Sequence, residues 1–215
     1  MPDLIIKPKN QSGNKLILQD QAGGAVLTTA DSGATAANVT LSNATHSTGS
    51  IATTVTGFTG IKNAQIFRMH TSFDGNDIDP ILNWENQDQD GGGTIGSVVT
   101  ESSGIFTFPA TGIWHIHFHG NVHDTNHQRY VDLMLYTTIN NSSYIHAAYG
   151  STFIGDSSSS QVFSESCCDT IFDVTDTSQC KCKFGMVVVG GDSITLRAES
   201  AANVSYVMFT RLGDT

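Results

Sequence analysis

The chain has 215 residues, a formal net charge of −10 and only 14% charged residues. Its ten Lys and Arg are scattered with no basic run, which excludes phosphate neutralisation on a duplex and attraction to an anionic membrane as organising functions. No apolar run approaches the ~20 residues that span a bilayer as a helix; 215 residues are enough for one all-β domain of moderate size plus an appendage, and the 39% hydrophobic share fits an N-terminal part poor in large side chains.

Residues 1–60 read as a separate attachment or stalk segment. The opening MPDLIIKPKN lacks the apolar core and small-residue cleavage site of a secretory signal. Short β-prone runs at 4–6, 16–18, 25–28 and 39–41 alternate with polar, Gly-containing turns. None closes a core alone. Such a stretch is either a Ser/Thr/Gly linker or an arm that buries isolated aliphatics against copies of itself, and the placement of the aliphatics favours the arm.

The compact domain spans 61–215. Residues 64–73 are expected to form a strand, with Ile66, Arg68, His70 and Ser72 on one face and Phe67, Met69, Thr71 and Phe73 on the other. Residues 74–79 (DGNDID) form an acidic turn before Pro80. It lacks the downstream Glu and flanking helices of a helical-hand calcium loop, so it reads as a solvated turn. A short strand at 81–84 precedes a polar loop at 85–93.

Residues 104–122, GIFTFPATGIWHIHFHGNV, organise the rest. After a Pro-Ala-Thr-Gly turn, Trp114, Ile116 and Phe118 fall on one side, and His115, His117 and His119 on the other. Period-two alternation means a strand with one aromatic–aliphatic face and one imidazole ladder. Next come a loop at 123–128, strands at 130–139 and 144–149, and a serine-rich loop at 150–160. A hairpin pairs 161–174 with 180–189, a turn follows at 190–192, and strands occupy 193–198 and 204–212. This spacing predicts an all-β sandwich or barrel without helices.

Four cysteines, Cys167, Cys168, Cys180 and Cys182, cluster late and allow three pairings. Their spacing does not match paired zinc thiolates. Free buried thiols and a cross-strand disulfide both remain open.

GIFTFPATGIWHIHFHG resembles the central motif of the globular head of complement subcomponent q. FGMVVVGGDSITLRAE resembles that family's strand–turn–strand unit, NVSYVMFTRLGD its final strand, and IFRMHTSF its first core strand. The resemblance covers residues 64–215. It implies the two-sheet jelly roll shared with tumour necrosis factor (TNF), about ten strands, and a homotrimer. The four cysteines and the histidine ladder depart from the family, and no collagen repeat precedes the domain. SGNKLILQDQAGGAVLTTADSGAT resembles N-terminal and stalk segments of bacteriophage fibres and other virion appendages.

Adjacent ladder members are ~6.6 Å apart, two rises of ~3.3 Å, so one chain cannot offer His115, His117 and His119 to one ion. In a trimer with this strand in the inner sheet, each rung brings three imidazoles to the axis. Such a ring suits a divalent metal, an anion or water, or repels itself when protonated; polar groups in a wet interface are the alternative. No other cofactor is implied. There is no nucleophile elbow, phosphate loop or dinucleotide fingerprint, and the hairpin acids Glu165, Asp169, Asp173 and Asp176 read as solvated.

The expectation is therefore a non-enzymatic virion protein, assembled in the bacterial host cytoplasm: a homotrimeric fibre or spike. Residues 1–60 would join other virion proteins, and the head would bind host-surface glycan through loops 74–79, 85–96, 123–128, 140–143 and 150–160. Candidate contacts are Asp74, Asn76, Asp77, Asn126, Asn140 and Asn141, with Tyr144 and Tyr149 as stacking surfaces. The alternatives are a head-decoration protein and a polysaccharide depolymerase.

Overall fold

The computed structural model describes residues 17–19, 21–23, 25–30, 33–36, 60–157, 160–189 and 193–215. Two compact units make up the chain, Met1–Val55 and Thr56–Thr215. In the first, β1 (Ile17–Gln19), β2 (Ala25–Ala30) and β3 (Gly33–Ala36) form an antiparallel sheet in that order. Ile17 and Leu18 stay exposed. The expected runs at 4–6 and 39–41 lie outside the described residues.

The second unit contains β4 (Asn63–Met69), β5 (Phe73–Gly75), β6 (Asp77–Ile78), β7 (Trp84–Asn86), β8 (Thr100–Ser102), β9 (Ile105–Thr107), β10 (Gly112–Asp124), β11 (Gln128–Thr138), β12 (Ile145–Ile154), β13 (Val162–Val174), β14 (Lys181–Val189), β15 (Ile194–Leu196) and β16 (Tyr206–Gly213). Among the described residues there is no helix. In one sheet β10 carries β13 along one edge, and β16 then β15 along the other; β16 continues to β4 and β7, and β15 to β5. The second sheet runs β12–β11–β14–β9–β8, with β6 also beside β14. Every pairing is antiparallel, as expected where each sheet buries one face and wets the other.

The core forms because alternate residues of both sheets point inward. On β10, Trp114, Ile116, Phe118 and Val122 are essentially inaccessible, while His115, His117, His119 and His123 are half-buried on the opposite face. Phe106 sits at the centre, its ring 5.2 Å from Phe67, 5.3 Å from Phe184 and 5.2 Å from Phe209. Trp84 packs against the same group, 5.8 Å from Phe106. Gly112 closes the turn into β10 at φ 135°, where a Cβ would come 2.4 Å from the Gly213 carbonyl oxygen.

Strand register defines two ends. At the proximal end, where β4 begins, Asn63 faces Arg211, Ile113 faces Gly213, and Gly112 faces Val174. At the distal end Asp124 faces Val162 and His123 faces Thr195.

Several boundaries differ from the sequence expectation. The strand expected at 64–73 breaks after Met69, where the His70 N–H donates to the Asn83 carbonyl, and resumes at Phe73 beside β15. Residues 81–83 are not a strand; the Ile81 N–H is held by the Phe184 carbonyl, and pairing with β4 begins at Trp84. The acidic turn holds β5's end and β6. β10 continues to Asp124, shortening the expected loop at 123–128. β12 runs through Gly150 to Ile154, because its pairing with β11 persists to Val131–Thr152 and Gln128–Ile154. Gly150 also lets the backbones close: a Cβ there would sit 2.1 Å from the Cys167 carbonyl oxygen.

Candidate functional site

The outer face of the β13–β10–β16 layer gathers the ionisable side chains singled out by the sequence. His115 lies between Ile171 and Thr210, His117 between Asp169 and Met208, and His119 between Cys167 and Tyr206. His115 Nε2 is 3.1 Å from Asp169 Oδ1, and His119 Nε2 is 3.8 Å from Glu165 Oε2. The Tyr206 ring is 5.9 Å from His117 and 5.2 Å from His119. Imidazoles therefore lean towards the β13 carboxylates on one side and a tyrosine on the other. Burial holds His117 below its ordinary range; Asp169 opposes this, and His119 and His115 reinforce it. A neutral imidazole keeps one donor and one acceptor available to a partner. Ile66, Ile113 and Met208 are half-buried around this stripe, while Ile171 and Leu212 are exposed.

Among the described residues, no three His, Cys, Asp or Glu side chains of one chain are placed to hold a metal ion. The axial ring expected of His115, His117 and His119 needs three copies.

All four cysteines are free thiols. Cys167 is exposed on the ladder face, opposite His119. Cys168, Cys180 and Cys182 are buried. Burial pushes the Cys168 thiol up to about 12 and Cys182 well above the ordinary thiol value, which keeps both protonated and inert.

The candidate glycan contacts separate. Asp74, Asn76, Asp77 and Asn126 are exposed at the distal end, with Asp74 Oδ1 accepting from Thr195 Oγ1 at 2.6 Å. Asn140 and Asn141 lie at the proximal end. Asn140 Oδ1 accepts from the backbone N–H groups of Ser142 and Ser143 and from Thr138 Oγ1; this side chain closes its own turn. Asn141 adopts φ 53° beside it. Tyr144, also proximal, has Lys183 Nζ 4.8 Å from its ring centre. Tyr149 is 66% exposed on the outer face of β12, within a strand and not in a loop.

One group escaped the sequence reading. Asn121, Phe163, Ser164 and Glu165 line an open groove of about 390 Å³ at the distal end of the ladder face. The Arg197 guanidinium stacks over Phe163, 5.0 Å from its ring centre. The available signal was the β10 alternation, which continues past His119 to Asn121 and His123.

The sandwich is similar to solved structures of murine APRIL. The pH 8.5 structure matches with a TM-score of 0.50 at 9% identity, over 70% of this chain and 98% of that one. The pH 5.0 structure gives 0.50 and 8% over the same shares. The structure of Eiger TNF from S. frugiperda matches at 0.48 and 13%, over 71% and 93%. No protein-family model and no curated protein matches the chain. At this identity the likeness bears on fold alone: the chain is an all-β, two-sheet, TNF-like jelly roll.

Proposed function

We propose that this chain is a non-enzymatic virion protein, a homotrimeric bacteriophage fibre or spike whose jelly roll binds host-surface glycan and whose residues 1–60 join other virion proteins. The observation that carries the proposal is a pair of large unpartnered surfaces. One is the ladder face with its aliphatic border. The other is the outer face of β12, with Ile145 66%, Tyr149 66% and Phe153 69% exposed. A three-fold interface is heterologous, so it needs two different patches on each copy. Exposed apolar surface of this kind marks an association site. Packing the outer face of β12 of one copy against the ladder of the next from Ile113 to His119 covers both surfaces, turns the imidazoles towards the axis and leaves the distal ends of β10 and β13 open. Tyr149 then belongs to the interface and not to the glycan surface.

The same arrangement puts three distal ends side by side. Their loops carry Asp74, Asn76, Asp77 and Asn126, which offer hydrogen bonds to sugar hydroxyls. The jelly roll begins at the opposite end, beside Arg211, which suits a head presented distally.

Incubating the full chain with intact host cells tests the reading. The expected result is binding that the cells' purified surface polysaccharide competes away, without release of reducing sugar. Reducing-sugar release would make the protein a depolymerase. Failure to bind any cell, with retention on purified capsids, would make it a head-decoration protein.

A further inference from the structure

We propose that the groove at the distal ends of β10 and β13 binds the carboxylate-bearing sugar unit of an acidic polysaccharide. The inference rests on the glycan-binding reading above and gives it a location and a charge. The groove is an open surface depression of about 390 Å³ lined by Asn121, Phe163, Ser164 and Glu165, with Arg197 beside it over Phe163.

Its cationic element is Arg197. Among the described residues no carboxylate lies within ion-pair distance of this guanidinium, whereas Arg68, Lys183 and Arg211 each have an acidic partner. The side chain is held, not loose. The Arg197 backbone N–H donates to the Asn121 carbonyl at 2.8 Å, Nη1 donates to Asn121 Oδ1 at 3.2 Å, and the guanidinium carbon lies over the Phe163 ring, 5.0 Å from its centre. A guanidinium carries five N–H donors in a fixed fork. Most of them remain for a bidentate carboxylate, and the stacking has already fixed the side chain's conformation.

The remaining groups suit a sugar better than a bare anion. Phe163 is 52% exposed beyond the area that Arg197 covers, leaving ring surface for the apolar face of a pyranose. His123 lies 5.2 Å from the Phe163 ring, and burial, then the Arg197 charge, holds it below its ordinary range. It is therefore neutral at pH 7 and hydrogen-bonds without adding charge. Glu165 and Ser164 line the groove, with Ser164 Oγ fixed 2.5 Å from Thr152 Oγ1. Glu165 would repel a multiply charged phosphate. It accepts hydrogen bonds from hydroxyls of a ligand whose single negative charge sits on the arginine side.

The test is calorimetric titration of the full chain with methyl galacturonoside, which carries one carboxylate, and with its methyl ester, for wild type, Arg197→Gln and Phe163→Ala. The acid is expected to bind, the ester to bind about tenfold or more weakly, and both variants to lose about tenfold or more in affinity for the acid, in line with a charge-assisted hydrogen-bond pair. Equal affinity for acid and ester overturns the proposal, as does an Arg197→Gln variant that binds the acid like wild type. No binding of either sugar by a protein that still adheres to host cells overturns the site and leaves the glycan reading standing. Loss of cell adhesion as well removes both.

Discussion

Neighbouring residues of β10 should fail in different ways when truncated. Phe118 is fully buried, with its ring 5.0 Å from Phe184 and 6.2 Å from Trp84. Phe118→Ala removes that transfer energy and leaves a cavity between two sheets that cannot collapse far, a cost of about 3–5 kcal/mol. Against a total stability of about 5–15 kcal/mol, that is a large share. With a urea slope of about 2 kcal/mol/M, the unfolding midpoint falls by about 2 M. His117 is half-buried on the outer face, with the Tyr206 ring tilted against it at 5.9 Å, so His117→Ala costs the single chain about 0.5 kcal/mol. Its effect should appear instead in mass action. In a trimer the midpoint rises with protein concentration. That dependence should persist in Phe118→Ala and shrink in His117→Ala. Urea unfolding followed by far-ultraviolet circular dichroism, at two concentrations a hundredfold apart, reads both effects. Equal midpoint shifts in the two variants would refute the assignment of one face to the core and the other to association. So would a Phe118→Ala cost under about 1 kcal/mol, well below the range for such a truncation.

Other outcomes follow from particular side chains. Arg68 is buried with Glu85, Asp88 and Gln89 around its guanidinium; Arg68→Ala should cost about 3 kcal/mol and open the 87–92 loop to limited proteolysis, and a loop as resistant as in wild type would contradict this. His117 and His123 are both depressed in the folded chain, so the unfolded imidazoles protonate first as pH falls. Stability is then complete above the ordinary histidine value of about 6.5 and is lost as pH drops through and below it. A flat melting temperature from pH 7.5 to 5, or an unchanged slope in the His117→Gln, His123→Gln double variant, would count against the burial. Native protein should expose no more than one thiol to Ellman's reagent, Cys167, and all four after denaturation; two or more fast thiols in the native state would contradict the packing of Cys168, Cys180 and Cys182.

How much of this was legible depended on whether the signal was local. The alternation of Trp114 to His119 gave strand, face and ladder at once, because period two is a property of adjacent residues. The jelly-roll order came from the family resemblance and not from the turns: the hairpin expected between 161–174 and 180–189 does not form, because β13 pairs with β10 and β14 with β11 in the other sheet. The end of β12 was not legible: Gly150 and the serines after it have loop composition, and only the approach to Cys167 and the pairing with β11 explain a strand there. Asn126 and Asn140 looked equivalent as polar loop residues. Register puts them at opposite ends, and the side-chain oxygen of Asn140 is taken up by its own turn. Phe163 lies on β13 and Arg197 just past the end of β15, on opposite sides of β10, so no spacing in the sequence announces their contact.

The central claim, that two exposed surfaces of the jelly roll meet in a three-fold assembly, is tested most directly by the mass of the full chain in solution, measured by light scattering across a wide concentration range. The account predicts three times the 22.9 kDa chain mass, falling towards the single-chain value when Tyr149→Asp and Phe153→Asp charge the β12 edge. A wild-type protein that stays at 22.9 kDa at every concentration would contradict it and leave the histidine ladder as an ordinary solvated sheet face.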